Sequence, residues 1–210
     1  MMLRSLSLVA ALAALPVHAD VVPVSEGLKV GTAAPQFMLP VVNDFKGGKK
    51  WGPARWTAGA PAADAKKLVI MSFFATYCDP CKREMPELAR IYDKYQGDGL
   101  GIMLVSIDKG DEQKQQIIDL AKASGVTFPV MHDRFQVVAR RYAAERLPYM
   151  LMLGNDGIVK GVHVGYTDEV KANLENEVRA GLGLELLPAV KADAQPDATV
   201  PAALPKKVEG

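Results

Sequence analysis

Residues 68–86 read LVIMSFFATYCDPCKREMP. The first seven are almost continuously apolar and rich in β-formers, as in a strand buried on both faces. From Asp79 the pattern changes. Met85, Leu88, Tyr92 and Tyr95 recur at three- and four-residue spacing, which predicts a helix from Asp79 to about Gln96. Cys78 and Cys81, the only two cysteines in 210 residues, stand where the strand hands over to the helix.

A disulfide three residues long closes a tiny loop. It removes little entropy from the unfolded chain, so it is a poor staple. Reactivity explains the pair better than stability does. A cysteine at a helix N-terminus faces unpaired backbone N–H groups and the positive end of the helix dipole, and both favour thiolate. Cys78 precedes the helix and is expected to be the exposed nucleophile. Cys81 lies one turn in, more buried, and can attack a mixed disulfide to release the substrate. Pro80 fits the first helical turn and helps to hold the two sulfurs in bonding geometry. Asp79 puts a carboxylate near the thiols, where it either disfavours thiolate or is solvated with little effect.

Other uses of CxxC fit less well. A zinc site needs four ligands, and there is no second cysteine pair. Covalent haem attachment needs His after the second Cys, and Lys82 is there. His132 and His163 fall on predicted strands and read as ordinary side chains, not ligands. Met71, Met103, Met150 and Met152 also lie on predicted strands and read as core filling. No metal is expected, and no cofactor beyond the redox-active disulfide.

Working outward, the N-terminus reads MMLRSLSLVAALAALPVHAD. Arg4, the apolar run Leu6–Leu15, Pro16 and the small-residue site ending at Ala19 form a secretory signal peptide over 1–19. The run is short for a bilayer span, which disfavours an uncleaved anchor. An oxidising compartment follows from export. The whole chain carries 25 basic and 24 acidic residues, a net charge of +1, and losing Arg4 leaves 24 of each. That balance gives no support for nucleic-acid binding.

Residues 43–67 are rich in Gly, Pro, Ala and Lys and read as an extended loop, with Trp51 and Trp56 anchoring it to the body in the favoured reading and lining a binding surface in the other. GLGIMLVSID is a second buried strand. DEQKQQIIDLAKASG is an amphipathic helix stopping at Gly125, VTFPVMHD a short strand, and RFQVVARRYAAE a helix. PYMLML and IVKGVHVGY flank Gly154-Asn155-Asp156-Gly157 as a hairpin. Thr167 caps a last helix whose buried stripe is Val170, Leu174 and Val178. The order is α/β: parallel strands with crossover helices, then an antiparallel hairpin. Residues 20–187 form one domain, and 188–210, Ala/Pro-rich without aromatics, read as a disordered tail.

MSFFATYCDPCKREMPEL resembles the active-site segment of the thioredoxin superfamily, and within it the TlpA/ResA-like exported thiol–disulfide reductases. VGTAAPQFMLP is similar to the first segment of redoxin-type domains, and the resemblance spans about residues 28–183. It implies a thioredoxin-like fold: a mixed central sheet with flanking helices and an N-terminal strand extension. It implies that Pro148 is the family's cis-proline and helps to bind the substrate backbone with Leu147 and Tyr77. Pro86 matches the proline that bends the active-site helix. Glu84 matches a glutamate implicated in thiol protonation; the other reading is a solvent-facing helix glutamate. Tyr77 stands where the family often has Trp, and Ser72 where thioredoxins carry a buried Asp. Peroxiredoxins share the first segment, but their active-site Thr lies one residue further upstream of the Cys than Thr76, so peroxidase activity is not expected.

The expectation is a periplasmic, monomeric protein-disulfide reductase. Its partners would be exported disulfide proteins, apocytochrome c among them, and a membrane electron donor. A disulfide-forming oxidant or isomerase uses the same cysteines in reverse. A copper metallochaperone is the alternative from another class.

Overall fold

The structure, a computed structural model, describes residues 27–57 and 60–188. The expected signal peptide and residues 189–210 of the expected tail lie outside them. Leu68–Phe74 forms β3, buried at every position. It is the middle strand of a five-stranded sheet of order β5-β4-β3-β6-β7. β4 (Leu100–Ser106) and β5 (Val130–His132) run parallel to it, and β6 (Tyr149–Gly154) and β7 (Val159–Val164) form the antiparallel hairpin. Covered on both faces, β3 and β4 cannot alternate polar with apolar, hence their continuous apolar runs. Met71, Met103, Met150 and Met152 are all buried in this core.

The helices are α1 (Asp79–Tyr95), α2 (Lys114–Ala123), α3 (Val137–Arg141) and α4 (Asp168–Leu182). Thr167 caps α4, its hydroxyl accepting from the Val170 N–H at 3.2 Å. Two helices are shorter than their sequence patterns. Asp111 and Glu112 lie ahead of α2 instead of in its first turn. α3 spans five residues because Gln136 and Ala143 take positive φ, 54° and 51°, on either side of it. Asp133 caps α3 from outside, accepting from Val137 N and Ala139 N.

The N-terminal extension is a strap across the sheet. At one edge Gly31 N donates to Val159 O and Val159 N to Thr32 O. At the other, Val42 N donates to Val130 O, and Asn43 Oδ1 accepts from Val130 N. Between them lies β1 (Leu39–Pro40), paired with β2 (Lys50–Trp51), so the region expected as plain loop holds a strand and a 3-10 turn, Pro53–Arg55. Trp51 and Trp56 are each 5% exposed and meet edge to face, ring centroids 5.2 Å apart. They anchor the segment, as expected. Gly101 makes room for this: a Cβ there would stand 2.7 Å from the Trp56 ring.

α4 is tied to α1 by Glu175, which accepts from Arg90, Lys94 and the Tyr95 hydroxyl at 2.6–2.7 Å. Burial alone would raise its pKa, but these donors outweigh it and hold the carboxyl down at about 2. The stability it contributes is present above the usual Glu range and lost as pH falls toward 2. Glu175→Gln therefore loses less stability than wild type between pH 5 and pH 3, by about 1 kcal/mol. Equal losses in urea titrations at the two pH values would refute this.

Candidate active site

Cys78 is the N-cap of α1, with extended backbone (φ −91°, ψ 102°), and its Sγ accepts from the Cys81 N–H at 3.3 Å. The two cysteines are joined as a disulfide. Cys81 is fully buried and Cys78 is 8% exposed. The expected order of access holds, but Cys78 is not freely exposed. Its N-cap geometry folds the sulfur back over the first turn. There the sulfur meets the Cys81 N–H, and the positive end of the helix favours thiolate once the disulfide opens.

Pro80 occupies the first turn, where no hydrogen bond is lost. Asp79 points to solvent with its side chain 79% exposed and pairs with Lys82 at 3.0 Å, so its charge is solvated and countered. α1 runs through Pro86, which leaves the Lys82 carbonyl without a donor four residues on.

Glu84 is fully buried, so the solvent-facing reading is excluded. It lies one turn after Cys81, and side chains three apart share a helix face. Its Oε2 accepts from Ser72 Oγ at 2.7 Å, while Oε1 has no partner among the described residues. Burial raises its pKa, the Ser72 hydroxyl partly opposes this, and the result is about 7. Ser72 lies at the centre of β3, where the thioredoxin pattern has Asp. The acid in this interior comes from the helix instead of the strand.

The Leu147–Pro148 bond is cis. Tyr149 pairs with Phe73, so Pro148 stands level with Phe74, at the sheet end that carries Cys78. Pro148 O accepts from Gly165 N at 2.8 Å. Leu147 is half-buried at this end of the sheet, and Tyr77, beside Cys78 in the chain, is 69% exposed.

Asp108, just beyond β4, was not legible in the sequence. It is 3% exposed. Its carboxylate accepts from Thr76 N at 3.0 Å, Thr76 Oγ1 at 2.7 Å and Ser106 Oγ at 2.8 Å. Its carbonyl accepts from His132 Nε2 at 2.8 Å, which gives this buried histidine a structural partner. Asp108 thus fixes the turn that delivers Cys78. Its partner Thr76 is 32 residues away, so no local pattern announces it. Asp108→Ala leaves three donors without an acceptor and costs about 3 kcal/mol, readable as a lower urea midpoint. A midpoint equal to wild type would remove Asp108 from this role.

A dithiol–disulfide couple on a helix N-terminus, at the end of the central strand of a thioredoxin-like sheet, defines a thiol–disulfide oxidoreductase. The chain belongs to the AhpC/TSA family, whose family model matches residues 30–162. It is 30% identical over 181 residues to the thiol-disulfide oxidoreductase ResA of Geobacillus thermodenitrificans, covering 84% of this chain and 95% of that one. It is 28% identical over 140 residues to the thioredoxin-like protein YneN of Bacillus subtilis, covering 66% and 74%. Among solved structures, a Chlorobium tepidum protein assigned as thiol:disulfide interchange protein DsbE superposes with a TM-score of 0.63 at 24% identity, over 75% of this chain and all of that one. The thioredoxin domain of a Bacteroides vulgatus thiol-disulfide oxidoreductase gives 0.57 at 18%, over 72% and 99%. At these identities the structures speak for the fold alone.

Proposed function

We propose that this protein reduces disulfides of other exported proteins. The observation that carries the two-step exchange in this reading is the buried Glu84 carboxyl, one turn from the buried Cys81. It is a base where the resolving thiol needs one. In the forward reaction the Cys78 thiolate attacks a substrate disulfide. One substrate sulfur bonds to Cys78 and the other leaves as thiolate. Cys81 then attacks the Cys78 sulfur. Its proton passes to the Glu84 carboxylate, the Cys78–Cys81 bond forms, and the second substrate sulfur departs. The substrate gains two electrons and the protein ends as the disulfide. A dithiol donor on the membrane must then return two electrons. Tyr77 and Leu147 line the docking edge for the substrate chain, with Pro148, itself buried, shaping it.

Export is supported by the signal-like N-terminus, and the reducing direction by the resemblance to the TlpA/ResA-like reductases. Acid quenching of intact cells, alkylation and mass-shift reading of Cys78 and Cys81 test the direction. A mainly dithiol pair supports a reductase fed with electrons. A mainly disulfide pair, together with a reduction potential near the −120 mV oxidant extreme rather than about −270 mV, would reverse the reading.

A further inference from the structure

The Glu84 carboxyl poses a problem that its own neighbourhood does not solve. Oε2 is held by Ser72, but Oε1 is buried without a partner among the described residues. A second buried oxygen in the same condition is the Tyr166 hydroxyl. Buried polar atoms are rarely left unpaired, and water is their usual partner where protein supplies none. Tyr166 immediately precedes the Thr167 cap of α4, and its ring is half-buried. It also lines a cleft of about 530 Å³ between α1 and the start of α4. Pro86 of α1, which interrupts the helix's hydrogen bonding, lines the same cleft.

We propose that Tyr166 is the positioning residue for Glu84: its hydroxyl donates, through one water held between them, toward Glu84 Oε1. This rests on the proposed role of Glu84. The charged and titratable groups around the hydroxyl are Glu84, Arg83, Glu87 and Arg90 from α1 and Asp168 and Lys171 from α4, with Ser72 of β3 holding the far side of Glu84. Burial first, then the Glu87 and Glu84 carboxylates, raise the Tyr166 pKa to about 12, so it stays a donor across the working range. A donor aimed at the ionised carboxylate favours that form.

Stopped-flow reaction of the reduced protein with one equivalent of 5,5′-dithiobis(2-nitrobenzoate) separates the steps. The first nitrothiobenzoate is released as Cys78 attacks, the second as Cys81 resolves. Tyr166→Phe leaves the first phase unchanged. It moves the pH midpoint of the second phase about one pH unit alkaline, a tenfold slowing below the midpoint that disappears above it. In a Glu84→Gln background the same substitution has no further effect on the second phase. A Tyr166→Phe profile identical to wild type, or an equal slowing with and without Glu84, would overturn the inference while leaving the Glu84 role standing. A second phase untouched by Glu84→Gln would remove the parent reading and this one with it.

Discussion

Cys81→Ser accumulates as a covalent mixed disulfide with substrate, and Cys78→Ser forms none. The asymmetry follows from access. Only Cys78 shows any surface, and only its sulfur caps the helix, where thiolate is favoured. The fully buried Cys81 can reach the Cys78 sulfur but not an incoming disulfide. Removing Cys78 deletes the nucleophile of a unit that acts together, and exchange falls roughly 10⁴-fold or more. Removing Cys81 leaves the first attack intact and blocks resolution. Non-reducing gels of each variant with an oxidised protein substrate decide between them. Adducts on Cys78→Ser, with none on Cys81→Ser, would invert the roles.

Glu84→Gln gains stability relative to wild type as pH rises. The folded protein holds the Glu84 proton up to about pH 7, whereas the unfolded chain releases it near 4.5. Between those values the folded state binds more protons, so rising pH favours unfolding. Stability linked to this group is intact below the unfolded value and lost as pH passes through 7. The interval of about 2.5 pH units corresponds to about 3 kcal/mol. Gln carries no charge and escapes the penalty. The difference in unfolding free energy between variant and wild type, measured in urea on the oxidised proteins, therefore widens by about 3 kcal/mol from pH 4.5 to pH 8. A constant difference would mean that Glu84 titrates normally.

The central strand, the first helix and the cysteine pair could be read from residues 68–96 because burial on both faces and helical periodicity are local signals. The closing hairpin and the Thr167 cap were legible for the same reason. The α3 boundaries were not. RFQVVARRYAAE is periodic throughout, but the left-handed turn at Ala143 has no glycine to announce it. Glu84 sits among Lys82, Arg83 and Glu87 in a run that reads as a solvated face. Its burial depends on Ser72, twelve residues earlier on another element. Asp108 and Tyr166 owe their places to tertiary contacts, and the chain around them carries no motif.

The N-terminal strap also couples distant parts of the sheet. The Val130 amide, at one margin, is held by Asn43, and the Val159 amide, at the other, by Thr32. Both acceptors belong to one stretch of chain. Detachment of that stretch would bare both amides in a single event. They should therefore exchange with deuterium at a common opening free energy, although three strands separate the two margins. Thermal fraying at one side of the molecule is then reported at the other, with the active-site strand lying undisturbed between them.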